Sequence, residues 1–171
     1  MPNHLSVLGI IHTAISIFAI IAGLIALFID GKMDPSKTWG RAYIWLTVIT
    51  CVTGFPIMKL GHPTNGHYLG ILILILLAIG IFVKRFRVFS KLADYVQIIM
   101  ISTTFFLSFI PATVETLTRL PISHPLADGP NSPIVQITLM VFVGIYIIGV
   151  PYQLFQFKKR RKLNEPKVSV S

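Results

Sequence analysis

Two ionisable side chains, His12 and Glu115, interrupt apolar stretches of the chain and are the first candidates for chemistry. His12 lies about two helical turns into the first apolar stretch, roughly 10 Å from its start at about 1.5 Å per residue. Glu115 closes the fourth apolar stretch. Ionisable groups in such stretches usually face other helices and take part in function. An imidazole and a carboxylate can exchange protons near neutral pH, so we predict that both residues are catalytic.

Polar residues near these two extend the candidate site. Arg119 follows Glu115 by four residues, which places both on one helix face if the helix continues past Pro111. Serines recur on the same faces as His12 and Glu115. Such side chains can orient a small-molecule ligand through hydrogen bonds. The predicted ligand-binding residues are Arg119, Ser16 and Ser108.

A second histidine completes a candidate metal site. His67 opens the third apolar stretch, after a turn marked by Pro63 and Gly66. Zinc accepts imidazole and carboxylate ligands, and water can complete its shell and act as a nucleophile. One b-type haem would need two axial ligands on facing helices, and only the pair His12 and His67 is available. The predicted cofactor is a divalent metal such as Zn²⁺, or one haem, and the predicted metal ligands are His12, His67 and Glu115.

The composition excludes most classes of soluble protein. Of 171 residues, 54% are hydrophobic and 12% are charged, and the mean hydropathy is +0.77. An average soluble domain has about 25% charged residues, so this chain has too little charge to cover a water-facing surface. A secreted enzyme, a nucleic-acid-binding domain and a disordered protein are excluded on this ground. The lipid bilayer is the expected partner, and no nucleic acid is expected.

Five apolar stretches approach the roughly 20 residues that a membrane-spanning helix needs. We predict an all-α polytopic membrane protein, a bundle of five transmembrane helices that forms a single domain over residues 1–162. The remaining connections are too short to contain a soluble domain. The polar tail, residues 163–171, is expected to be disordered. The predicted spans are about 5–29, 42–58, 67–84, 95–115 and 134–157.

Lysine and arginine are unevenly distributed between the connections. Of the 15, all but Lys59 and Arg119 lie in the first and third connections or in the carboxyl-terminal tail. Because cytoplasmic loops carry the excess of positive charge, we predict that the amino terminus is outside and the carboxyl terminus is cytoplasmic. All five histidines then lie on or near the outer side, so the polar site is predicted to open outward. His62 and His124 lie in loops and are expected to be solvated.

Three further patterns concern the faces of the helices. Small residues follow His12 along the first span, which favours close approach of another helix and is compatible with a homo-oligomer; they are Ser16, Ala19 and Gly23. A polar stripe runs down the fourth span from the outer side through Glu115, Ser108, Thr104 and Gln97. Aromatic residues near the inner end of the second span are typical of an interfacial belt; they are Trp39, Tyr43 and Trp45.

Two segments resemble a bacterial family of integral membrane proteins of unknown function. The first is His12-Thr13, a span rich in small residues, and then Gly31-Lys32 and Trp39-Gly40-Arg41-Ala42-Tyr43. The second is Phe109-Ile110-Pro111-Ala112 with Glu115-Thr116-Leu117-Thr118-Arg119-Leu120-Pro121. Many relatives carry a histidine just before the Gly-Arg pair, where this chain has Lys37, Thr38 and Trp39. The resemblance implies a multi-pass protein of the bacterial plasma (inner) membrane and supplies no activity.

The residues leave three functions open. The first is an outward-facing polar site in the bundle that binds a metal, a single haem or a small ligand, with a catalytic or redox role. The second is a small transporter or proton-coupled carrier, although five spans exclude an inverted repeat of equal halves. The third is a non-catalytic membrane subunit or scaffold that packs a partner. We favour the first, because the ionisable groups gather on one side.

Overall fold

The computed structural model describes residues 6–57, 61–85 and 92–164, and within these ranges all regular structure is helical. Five α-helices follow one another along the chain, with a 3₁₀ turn, Val83–Arg85, after the third. The predicted all-α fold is therefore confirmed. The helices are α1 (Val7–Asp30), α2 (Thr38–Gly54), α3 (Asn65–Phe82), α4 (Ala93–Leu117) and α5 (Pro133–Asn164).

Four of these helices are long and apolar enough to cross a membrane: α1, α3 with its 3₁₀ turn, α4 and α5. Large apolar side chains cover their outer faces, as shown by Phe28 and Ile148, which are 86% and 74% exposed. The structure thus has the character of a multi-pass membrane protein. Helix α2 has 17 residues and measures only about 25 Å at about 1.5 Å per residue, so a fifth span stays a prediction.

Local sequence explains the bounds of α1. The Ser6 hydroxyl accepts a hydrogen bond from the Gly9 amide and caps the first turn. Gly31 ends the helix with a φ of 73°, a left-handed conformation that glycine adopts without steric cost. Five small residues of α1 are buried and lie along one side of the helix: Gly9, Ala19, Ala22, Gly23 and Ala26. A Cβ on Gly23 would lie 2.5 Å from the Phe105 ring, so this glycine lets α4 approach α1 closely, as the pattern of small residues predicted.

Contacts at both ends show how the helices alternate in direction. We call one end the histidine end: it contains the first turns of α1, α3 and α5 and the last turns of α2 and α4. There, His12 of α1 contacts Thr53 of α2. We call the other the basic end, where the Arg160 guanidinium of α5 donates to the Asp30 carbonyl at 3.3 Å. Most of the described cations lie at this end, and the described histidines lie at the other.

The core contains Tyr43, and this corrects one prediction. Its side chain is fully buried, its hydroxyl lies 2.9 Å from the Thr104 hydroxyl, and its ring packs edge-on against Phe105 at 5.6 Å. Tyr43 is therefore not part of an interfacial belt. The sequence pattern did not reveal this, because apolar residues occur on every side of α2. Which side is buried depends on where α1 and α4 pack against it. Cys51 is a packed core residue with 8% exposure.

Helix α2 is displaced by four residues from its predicted span. It begins at Thr38, in the charged and aromatic segment, and ends at Gly54. Pro56 lacks the amide hydrogen that would bond the Val52 carbonyl, so the helix does not continue through it. Met58 and Lys59 lie outside the described residues. Helix α4, in contrast, continues through Pro111 to Leu117, which meets the condition for Glu115 and Arg119 to be neighbours.

Candidate functional site

A hydrogen bond to α2 fixes the His12 ring. His12 Nδ1 lies 3.2 Å from Thr53 Oγ1. The Thr53 hydroxyl donates to the Ile49 carbonyl at 2.8 Å, so its oxygen is left to accept a hydrogen from Nδ1. This network assigns the tautomer that carries its proton on Nδ1. His12 Nε2 then keeps a lone pair that can accept a proton or bind a metal ion.

The last turn of α2 provides a close-fitting surface for this ring. A Cβ on Gly54 would lie 3.1 Å from His12 Cε1, so any larger residue would push the imidazole away. The ring is also within reach of the Thr50 backbone carbonyl. One face of the histidine is therefore held by α2 backbone and hydroxyl groups.

Glu115 and Arg119 complete the polar group at the histidine end. Their side chains form an ion pair, with Glu115 on the last turn of α4 and Arg119 two residues beyond it. The Glu115 carboxylate also interacts electrostatically with His12. Its side chain is 55% exposed, whereas that of Arg119 is 21% exposed. Three of the predicted site residues are thus near one another, and the carboxylate is accessible to a ligand.

His67 lies in a different arrangement. Its Nδ1 accepts the Thr64 amide hydrogen at 3.1 Å, and the Thr64 side-chain oxygen accepts the amide hydrogen of His67. These two reciprocal bonds form a capping box at the start of α3. Its Nε2 lies 3.1 Å from the Phe55 carbonyl and donates to it. The ring is buried and stacks on Phe55. Both nitrogens are engaged in joining α3 to the end of α2, so neither is left for a metal ion.

The two predicted ligand-binding serines bond to their own helices. The Ser16 hydroxyl donates to the Thr13 carbonyl at 2.7 Å, and the Ser108 hydroxyl donates to the Thr104 carbonyl at 2.9 Å. Each oxygen still has a lone pair for a further hydrogen bond. Their part in ligand binding stays a prediction.

The polar stripe of α4 is used mainly in packing between helices. Gln97 is 4% exposed and donates to the Gly80 carbonyl at 2.8 Å, and Thr104 contacts Tyr43. These groups therefore do not line an open path down from Glu115. In the described part of the chain, no three His, Cys, Asp or Glu side chains are grouped to hold a metal ion. The predicted trio of His12, His67 and Glu115 is thus not assembled as a coordination shell.

The partners of His12 are the residues that sequence reasoning missed. Thr50, Thr53 and Gly54 form a small polar cluster at the end of an apolar segment, and that cluster was the signal available. A threonine in such a segment usually bonds its own helix, so only the register between α1 and α2 reveals its contact with the histidine.

Comparisons with known proteins found no relative of this chain. No family model, no curated protein and no solved structure matches the chain. The resemblance to a bacterial membrane protein family therefore stays a prediction, and the proposed function rests on the site alone.

Proposed function

We propose that this chain is a five-span protein of the bacterial plasma membrane that binds a small polar ligand, or a metal ion completed by water, at an outward-facing histidine end. The observation that supports this most is the bond between His12 and Thr53. It holds Nδ1 against α2, and the His12 ring is within electrostatic reach of Glu115.

Each residue has a distinct role in this proposal. His12 Nε2 takes up a proton from the ligand or binds the metal ion. The Glu115 carboxylate, which is more exposed than the Arg119 side chain, accepts a hydrogen bond from the same ligand or coordinates the same ion. Arg119 orients Glu115 through the ion pair and can attract an anionic group. An imidazole and a carboxylate can exchange protons with a ligand but do not themselves transfer electrons. His12 and Glu115 therefore support ligand binding with proton exchange more directly than redox chemistry.

We leave haem out of the proposal. A b-type haem needs two axial ligands, and His67, the second candidate, uses both nitrogens within the protein. A metal ion needs fewer protein ligands when water fills its remaining positions, so zinc stays in the proposal as the ion to test.

Zinc binding tests the metal version. Purified protein would be incubated with Zn²⁺ and dialysed, and the retained metal would be measured by elemental analysis. We expect retention in the unmodified protein and loss in His12→Asn and Glu115→Gln. His124→Ala, which removes an exposed loop imidazole, is the matched control and should retain zinc. Failure of the unmodified protein to retain zinc would reject the metal version and leave the small-ligand version.

Access from outside tests both versions. A His12→Cys variant in a Cys51→Ala background should react with a membrane-impermeant thiol reagent added to intact cells. An Ala26→Cys variant, at a fully buried position of the same helix, is the control and should not react. Equal rates for the two variants would contradict a site that opens outward.

A further inference from the structure

We propose that a cleft between α1, α4 and α5 holds one anionic phospholipid, with part of an acyl chain inside the cleft and its phosphate at the basic end. This site is separate from the polar group at the histidine end. We call it the α1–α5 cleft, and its lining includes Leu27, Phe105, Phe109, Phe142, Gly149 and Gln153.

The cleft exists because α5 is attached to only one side of the bundle. Its contacts with α4 include the Thr103 and Tyr146 hydroxyls, 2.7 Å apart, and the stacked rings of Phe109 and Phe142, at 4.6 Å. Near its carboxyl-terminal end, helix α5 reaches α1, where Arg160 bonds to the Asp30 carbonyl. Between these two attachments the helices stand apart and leave a volume of about 160 Å³.

The size and lining of the cleft suit a hydrocarbon chain. A cavity of about 150 Å³ lined by apolar residues holds a benzene ring, so this cleft has room for a segment of one chain but not for a large planar cofactor. Five aromatic rings from α4 and α5 line it, together with aliphatic side chains. The second chain and the rest of the first would remain in the bilayer.

Along α5, the apolar lining is followed by an amide and then by a cation. A phospholipid has the matching order of acyl chain, ester carbonyl and phosphate. Phe142, Gly149, Gln153 and Arg160 are spaced by seven, four and seven residues, so they share one face of α5. Gln153 accepts from the Ser102 hydroxyl at 2.9 Å. Within the described residues its amide nitrogen makes no hydrogen bond, so it can donate to an ester carbonyl. Arg160 lies about 10 Å further along the axis, at the level of a phosphate.

Charge at the mouth of the cleft favours an anionic headgroup. Lys32 lies 4.9 Å from the Phe157 ring and Arg160 lies beside Gly31, so cations from two elements meet where the cleft ends. The tail of α5 adds four exposed cations around Arg160, namely Lys158, Lys159, Arg161 and Lys162. Two carboxylates, Asp30 and Asp34, oppose them, and Asp34 is already paired with Lys32. The excess of positive charge distinguishes phosphatidylglycerol from a zwitterionic lipid.

Two glycines of α5 provide a matched pair of variants. A Cβ at either Gly149 or Gly144 would meet nothing within 4 Å. Gly149 lines the cleft, whereas Gly144 lies outside its lining. A phenylalanine at Gly149 should therefore fill the cleft, and the same change at Gly144 should add a side chain on another face.

Lipid retention measured by native mass spectrometry tests the proposal. Protein in mild detergent would receive equal amounts of phosphatidylglycerol and phosphatidylcholine with identical chains. We expect one phosphatidylglycerol to be retained, and phosphatidylcholine at about one fifth of that level or less. Gly149→Phe should reduce retention to the phosphatidylcholine level, and Gly144→Phe should leave it unchanged. Arg160→Gln should lower the preference for the anionic lipid about fivefold, and Lys162→Gln, on another face of α5, should lower it less.

Three results would overturn the proposal. One is equal retention of the two lipids by the unmodified protein, since the charge at the mouth would then have no effect. Another is retention by Gly149→Phe at the level of Gly144→Phe. The third is an equal effect of Arg160→Gln and Lys162→Gln. Because both charge variants alter exposed side chains, they decide the question even if a phenylalanine prevents folding.

Discussion

At the scale of single residues, Asp34 shows how one carboxylate closes the turn between α1 and α2. Its Oδ2 lies 2.9 Å from the Lys32 ammonium, and its Oδ1 accepts from the Ser36 amide and hydroxyl at 2.9 and 2.7 Å. Burial by itself would raise the pKa of Asp34, but these bonds outweigh it and lower the pKa to about 2. Gly40 packs directly on this turn, since a Cβ there would lie 2.2 Å from the Asp34 carbonyl oxygen.

We predict that Asp34 stabilises the fold in a pH-dependent way. Because its pKa is lower in the folded than in the unfolded chain, its contribution is complete above about pH 4 and is lost as the pH falls towards about 2. Asp34→Asn should lower the melting temperature at neutral pH, and the difference from the unmodified protein should shrink below about pH 4. Tryptophan fluorescence during heating in detergent would measure it. Asp128→Asn, in an exposed loop, is the control, and a constant difference across this pH range would contradict the prediction.

Residue types and spacing were enough to predict part of the site. His12, Glu115 and Arg119 were predicted because ionisable groups are rare in apolar segments, and the structure places these three near one another. The contacts of His67 with Thr64 and Phe55 could not be predicted in the same way. A histidine is an unusual partner in a capping box, and its second bond depends on where α2 ends.

At the scale of elements, the start of α3 depends on His67. Its side chain accepts the Thr64 amide hydrogen and donates to the Phe55 carbonyl, so it both caps α3 and ties it to α2. Removing the His67 side chain would leave the Thr64 amide and the Phe55 carbonyl without their hydrogen-bond partner. Leaving such groups unpaired lowers the free energy of unfolding.

We predict that His67→Ala lowers the free energy of unfolding by about 1–3 kcal/mol. His67→Gln should recover part of this loss, because glutamine is a usual residue at this position of a capping box. His124→Ala should change stability by less than about 0.5 kcal/mol, since that side chain is exposed. Denaturant or thermal unfolding in detergent would measure all three. A His67→Ala variant with unchanged stability would contradict this role of His67 at the start of α3.

The bounds of the elements were predictable where a capping or breaking residue marks them. Helix α1 (Val7–Asp30) is capped by Ser6 and Gly31, and its bounds are close to the predicted span. Helix α2 was placed four residues too late because hydropathy alone favoured Ala42–Met58. Hydropathy undervalues Trp39 and Arg41, which a helix end at a membrane surface readily accommodates.

At the scale of the whole molecule, most of the described cations gather at one end of the bundle and the described histidines at the other. Four helices are long and apolar enough to cross a membrane. The class of protein and its helical content were predictable from composition, because apolar stretches of this length leave few alternatives. The α1–α5 cleft was not predictable, since it depends on α5 packing against α4 rather than against α1.

We predict that the two ends of the bundle lie on opposite sides of the membrane, with the histidine end outside. Single cysteines at His62 and Leu163, both exposed, would be introduced in a Cys51→Ala background. A membrane-impermeant maleimide should label the first in intact cells and the second only after permeabilisation. Labelling of both from outside would contradict three membrane crossings, by α3, α4 and α5, between the two positions, and the reverse pattern would contradict the orientation.

The short second helix has a consequence for the lipid around it. A helix of about 25 Å is roughly 5 Å shorter than the hydrocarbon layer of a typical bilayer. If α2 crosses the membrane, the leaflets beside it must thin, or headgroups must be drawn inward at its ends. Because His12 rests on the last turn of α2, this indentation would bring the water boundary down to the imidazole. A solute could then reach the histidine from the membrane surface without crossing the hydrocarbon layer of the bilayer.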